Sequence, residues 1–180
     1  MPKIEPMISE RQKLSPTAKT ALAIAAAVAV ATPLAQRWEG FFGKAYLDPV
    51  KVLTQCYGET RDIDPSKIYS KDECATKLRT RLARDYAPVL AKCMPVLVSD
   101  DWAAYSNIFG ALLDASYNAG PGRVCDRFAS SVNHGELLAT CNGLPTWMIT
   151  ARDRRTGVRK VYRGLVNRRR DEAAVCRKGL

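Results

Sequence analysis

Histidine is nearly missing from this chain. A single one, His134, stands in 180 residues, and no two of the six cysteines form a Cys-x-x-Cys pair. Zinc sites draw their ligands from such patterns, so no metal is expected. No ATP or organic cofactor is implied. Ser130 and Ser131 lack a matching His and Asp, which argues against a serine nucleophile. No uncharged run reaches the roughly 20 apolar residues of a firm membrane span. Acids are scarce beside bases: 18 Asp and Glu face 28 Lys and Arg, a net charge of +10.

The excess charge is uneven. Residues 151–180 carry eleven Lys/Arg against three Asp/Glu. Such a surface favours an anionic partner. No nucleic-acid motif accompanies it, so nucleic acid is not the expected partner. Val161, Leu165, Val166, Ala173 and Val175 interrupt the basic run at near-helical spacing. It reads as the solvated face of a terminal helix that attracts an anionic wall polymer. Arg168 and Glu172 stand four apart and are expected to pair on that helix surface.

What the chain does have is concentrated between Trp38 and Thr60. Glu39 ends a helical approach. Asp48 follows in a Tyr-Leu-Asp-Pro turn. Thr54 lies in a β-prone run with Val50, Val52 and Leu53, and a Cys-Tyr-Gly turn closes the unit. Two carboxylates and a hydroxyl on short separate elements can converge across a cleft. One acid would protonate a glycosidic oxygen and the other would place a water. Spacing alone favours a plainer reading of the same residues: a solvated acid, a turn Asp and a strand Thr.

The flanking residues tip the balance. WEG, AYLDP and LTQCYGET, then ALLDASYNAGPGRVCDRFASS, then GLVNRRRDEAAVC, resemble in order three blocks of the bacteriophage lysozyme family (glycoside hydrolase family 24, the phage endolysins). The resemblance covers residues 37–176. It implies an α+β, mainly α, lysozyme-like fold: a small β-containing lobe, a larger helical lobe, a cleft between them and a preceding apolar helix. It implies Glu39 as general acid, with Asp48 and Thr54 holding the attacking water. Such hydrolases generally invert, which wants carboxyl groups roughly 6.5–9.5 Å apart. A partly desolvated Glu39 would keep its proton. The chain departs from the family at Lys51, usually Gly, and at Glu59, often His. The implied substrate is peptidoglycan, and a monomer is expected.

Residues 1–19 are polar, with Pro2, Pro6 and Pro16 opposing a stable helix. Residues 20–36, TALAIAAAVAVATPLAQ, are uncharged and contain Pro33. They read as a cleaved signal peptide with a small-residue site at Ala29-Val30-Ala31, as a buried core helix, or as a weak membrane anchor. Some phage endolysins carry a signal-anchor-release segment, and the basic residues ahead of this run suit an amino terminus left in the cytoplasm. That resemblance favours the third reading: a chain tethered in the host inner membrane, facing the periplasm, and later released into it. The expected division is 1–19, 20–36 and a catalytic domain at 37–180. No cysteine lies in the anchor, so release alone is the expected switch.

Cys56, Cys74, Cys93, Cys125, Cys141 and Cys176 suggest disulfides in an oxidising compartment. Six cysteines allow about 15 pairings. The expected set joins sequence neighbours: Cys56–Cys74, Cys93–Cys125 and Cys141–Cys176. A continuous helix would hold Cys74 and Cys93 about 28 Å apart.

Arg61 to Ser66 reads as turn. Ser70 and Glu73 form a capping box for a helix carrying Cys74, Leu78, Leu82 and Tyr86 on one face, which Pro88 bends or ends. A helix starting at Ser99 buries Trp102, Tyr105, Ile108, Phe109, Leu112 and Leu113. Asn118 reads as a cap or a cleft-lining amide, Trp147 as core or cleft. His134 reads as a surface loop residue, and 150–160 as a basic loop. Two rival functions remain at this level. A lytic transglycosylase would leave 1,6-anhydro products. A non-enzymatic wall-binding protein would be indifferent to Glu39→Gln.

Overall fold

The computed structural model describes residues 14–48, 51–153 and 155–180. Residues 1–13, most of the polar N-terminus, lie outside the described residues, as do Pro49 and Val50 of the expected turn and strand and Arg154 of the expected basic loop.

The first helix, α1, runs Pro16–Glu39. Ser15 caps it by accepting from the Ala18 N–H at 3.2 Å. Pro16 therefore starts the helix instead of preventing it, because a proline in the first turn forfeits no intrahelical bond. Pro33 lies inside α1 without ending it. The boundary expected at residue 36 falls within this helix. One stripe of α1, made by Ala23, Ala27, Ala31 and Ala35, is buried at four-residue spacing. Small side chains let a neighbour approach closely. That neighbour is α4, Ser106–Ala119. At Gly110 an added Cβ would sit 2.5 Å from Val30 Cβ and 3.0 Å from the Ala27 carbonyl. The crossing thus requires glycine for lack of space.

A short hairpin follows α1. Strand β1, Phe42–Leu47, pairs antiparallel with β2, Leu53–Cys56. Tyr46 faces Thr54 and Leu47 faces Leu53, with an irregularity between Phe42 and Tyr46. This hairpin and the loop to residue 70 form the small lobe. Helix α2, Lys71–Arg81, begins with the full capping box: Glu73 N–H donates to Ser70 Oγ, and Glu73 accepts from Ser70 N–H. A π-helical turn, Leu82–Tyr86, joins α2 to α3, Ala87–Cys93. Pro88 has no N–H to give the preceding turn, and the chain meets that by widening: Ala87 N–H reaches the Leu82 carbonyl, five residues back. So Pro88 does not stop the helical run.

The larger lobe is built around α4. Its residues from Ile108 to Ser116 are all buried, so it is a central helix and not one with a single apolar stripe. It starts at Ser106, later than Ser99. Residues 99–105 instead form successive tight turns, such as Trp102 N–H to the Ser99 carbonyl at 3.2 Å. Helix α5, Pro121–Asn133, packs against it, and α6, Leu137–Gly143, packs on α5. Residues 150–152 and 159–161 are not loop. They form a second hairpin, β3 (Thr150–Arg152) with β4 (Arg159–Val161). Helix α7, Arg163–Arg177, closes the fold against α4.

Three disulfides tie these pieces: Cys56–Cys74, Cys93–Cys125 and Cys141–Cys176. They join β2 to α2, α3 to α5 and α6 to α7. Each links elements that already pack together, so the expected neighbour pairing is the pairing found.

Candidate active site

Glu39 is the last residue of α1, and Gly40 ends the helix at φ +72°. A carboxylate here stands at the negative end of the helix dipole and needs a cation nearby. Arg168 of α7 supplies it, with Nη1 donating to Glu39 Oε1 at 2.5 Å. The Glu39 side chain is 24% exposed and opens into the cleft. This differs from a simple apolar pocket: the acid is held by a guanidinium. Opposite it, Gly58 lets the backbone come close. A Cβ there would lie 3.3 Å from Glu39 Oε2, and φ is +80°.

Asp48 and Thr54 meet through one residue. Asp48 Oδ1 accepts from the Val52 N–H at 2.9 Å, and the Asp48 N–H donates to the Val52 carbonyl at 2.9 Å. The Thr54 hydroxyl donates to that same carbonyl at 3.1 Å. A turn bond from Lys51 N–H to the Asp48 carbonyl closes the hairpin end. Lys51 has φ +63°, the left-handed region that favours glycine. That gives a physical reason for the Gly usually found at this position in the family it resembles.

Tyr46 lies on β1, two residues before Asp48. Burial, then the charges of Asp48 and Glu39, push its phenol up from the ordinary value. It therefore feels both acids, and it faces Thr54 across the hairpin. Of the three expected site residues, Glu39 borders the cleft, while Asp48 and Thr54 meet at Val52 on the adjoining hairpin and are not among its lining residues. The cleft is a cavity of about 370 Å³, bordered by Glu39, Glu59, Arg81, Tyr117 and Asn118.

The cleft floor holds groups that sequence reasoning misses. Glu59, noted only as a departure, is buried and accepts three bonds from Arg81 between 2.8 and 3.1 Å. Asp85 takes Arg81 Nη1 at 2.6 Å. Tyr117 gives its hydroxyl to the Tyr57 carbonyl at 2.7 Å, and burial holds that phenol far above its usual range. Behind Glu39, Arg168 and Glu172 are buried, not a surface pair. Arg168 grips Asp114 of α4, and Arg169 grips Glu172. The signal for Asp114 is an acid inside the apolar run ALLDASY.

Asn118 borders the cleft and accepts from Arg169 Nη2 at 2.6 Å. Trp147 belongs to the core side: it packs edge-on against Phe128 and lies under Arg169. His134 is exposed, with Nδ1 2.8 Å from the Ser130 carbonyl. Among the described residues no cluster of His, Cys, Asp and Glu has the arrangement of a metal site.

This geometry has known counterparts. A family model of phage lysozymes matches residues 36–172. A protein named SAR-endolysin, from Bacteriophage PS119, is 32% identical over 140 residues, which span 77% of this chain and 75% of that protein. An endolysin from the Escherichia coli O157:H7 phage FAHEc1 superposes with a TM-score of 0.66 at 21% identity, covering 93% and 96% of the two chains. The muramidase domain of SpmX from Asticaccaulis excentricus does so with 0.63 at 19%, covering 81% and 93%. The chain belongs to the phage lysozyme family. Its activity class is that of a lysozyme-type glycoside hydrolase, and its kind within that class is an endolysin.

Proposed function

We propose that this endolysin hydrolyses the β-1,4 bond between N-acetylmuramic acid and N-acetylglucosamine of peptidoglycan, to lyse the host cell. Glu39 gives its proton to the leaving oxygen. Asp48, with Thr54, holds the water that attacks the anomeric carbon and takes up the proton that water releases. The observation that carries this reading is Glu39, held by Arg168 at the end of α1 and opening into the cleft; the carboxylate–hydroxyl pair joined at Val52 on the adjoining hairpin supports it. The enzyme acts as a monomer.

Residues 20–36 serve first as a weak membrane tether and then as part of the fold. In support, α1 is apolar enough to cross a bilayer by length and composition, yet it packs into the core. Before release the chain faces the periplasm from the inner membrane; afterwards it is free there. While α1 is in lipid, Glu39 is detached from Arg168, and the cleft is incomplete.

The test is clearing of outer-membrane-permeabilised Gram-negative cells by the full-length chain in mild detergent, beside Glu39→Gln, with mass spectrometry of the sugars. Clearing by the parent alone, with reducing-end muramic acid products, is expected. 1,6-Anhydro products would make it a lytic transglycosylase; equal clearing by both would remove Glu39 from the reaction. Fractionation before and after depolarisation tests the tether: the chain should move from the membrane to the soluble fraction without shortening.

A further inference from the structure

Three carboxylates and two guanidiniums meet behind the cleft. Arg168 is central, its side chain 4% exposed. It donates Nε and Nη2 to the two oxygens of Asp114 at 3.2 and 2.8 Å. That leaves Nη1 for Glu39. Arg168 Nε is also 3.4 Å from Glu172 Oε1. Glu172 is bonded by Arg169, whose remaining N–H groups go to Asn118 and the Trp147 carbonyl. Asp114, Arg169 and Glu172 have no exposure; of the five, Glu39 reaches the cleft.

This arrangement poses a problem for an acid catalyst. A guanidinium in contact with a carboxyl group favours its ionised form. A general acid must arrive protonated. The cation beside Glu39 therefore has to be answered by something else.

We propose that Asp114 is a positioning residue for catalysis: its two-point pair with Arg168 cancels the guanidinium charge, so that Glu39 stays oriented by Arg168 yet holds the proton it transfers. This rests on Glu39 being the general acid. A buried charge is retained only when paired, which Arg168 and Asp114 achieve for each other without Glu39. Arg168 then contributes direction, through one N–H, more than charge.

The other charges facing Glu39 come from every neighbouring element. On the first hairpin, the phenol of Tyr46 senses the charges of both Glu39 and Asp48. Glu59 approaches from the loop, answered by Arg81 of α2. On α4 the Tyr117 phenol faces it too. Arg61, Asp85 and Tyr86 line the same cavity. Asp114 spends its carboxylate on Arg168 and not on these groups, so replacing it changes one charge beside Glu39. Glu172 is the exception. Burial pushes its carboxyl up, and the charge of Asp114 and a hydrogen bond between the two carboxyl groups add to this.

The experiment measures kcat/KM on solubilised peptidoglycan against pH for the parent, Asp114→Asn, Arg168→Gln and the double variant, each also with Glu172→Gln to hold that position neutral. Asp114→Asn leaves Arg168 unanswered. It should move the basic limb of the profile down by about one pH unit or more. Arg168→Gln leaves Asp114 unanswered and should move it up. The double variant, neutral again, should return the limb towards the parent. A merely structural role predicts lower activity at all pH values with the limb unmoved, which would overturn the proposal. If Asp114→Asn does not fold, as judged by near-UV circular dichroism, an unmoved limb in Arg168→Gln overturns it equally. Glu39→Gln is run alongside. Its retained activity would sink the general-acid reading itself, whereas its inactivity with an unmoved limb sinks only the role of Asp114.

Discussion

Glu39 and the Asp48–Thr54 pair are held in opposite ways. Glu39 ends a 24-residue helix and is gripped by an arginine that is itself gripped in the core. Asp48 and Thr54 ride on a two-stranded hairpin whose Phe42, Leu47, Val52 and Leu53 remain exposed. A two-stranded ribbon is marginal alone. This one is fastened by Cys56–Cys74 and by Gln55, whose amide donates to the Gly43 and Lys67 carbonyls at 2.9 Å each. The difference teaches that Glu39 is fixed by long-range charge pairing, while Asp48 and Thr54 are fixed by local backbone bonds to Val52.

The largest test of that contrast is Glu39→Gln. It should cut turnover by about 10²–10⁴-fold, the usual worth of a general acid, with little change in melting temperature. A steep fall in melting temperature would mean that Glu39 supports the fold as well. Next is the hairpin side. Replacing Cys56 and Cys74 with Ser should cost about 2–4 kcal/mol in chemical denaturation, and activity should fall before the helical lobe unfolds. Simultaneous loss of both would show that the two sides are one cooperative unit.

The third test concerns the buried net. Burial raises the Glu172 carboxyl from 4.5 to about 8. A raised group stabilises the fold below its unfolded value, and that stability is lost as pH rises through its folded value. Stability should therefore decline between about pH 4.5 and 8, and Glu172→Gln should flatten that slope. The smallest effect is expected at the hairpin tip. Lys51→Gly removes a strained left-handed lysine and should stabilise by about 1 kcal/mol or less; destabilisation would mean that the lysine side chain holds the tip.

Local features are legible in the amino-acid sequence. The capping box at Ser70, the hairpin after Glu39, the terminal helix and the neighbour disulfides all depend on residues close in sequence or on packing of successive elements. What escapes is long-range or compensated by geometry. Arg168 and Arg169 sit in an Arg-Arg-Arg run, which by composition belongs on a surface; only the acids of α4 and α7 make their burial tolerable. Glu59 finds its partner 22 residues away in Arg81. The basic stretch 150–160 forms strands because β4 supplies a ladder, not because its residues favour one. The acids at Ser99–Asp101 signal a helix start, but the chain makes turns until Ser106.

The alanine stripe of α1 has a consequence for how the segment can change over time. Ala23, Ala27, Ala31 and Ala35 are closed in, and Gly110 opposite leaves no room for growth. Lengthening any of them would jam the core. The lipophilicity of this segment therefore has a ceiling set by the shape of α4: drift towards a stronger bilayer span is confined to the outward face, around Leu22, Ala25 and Ala29.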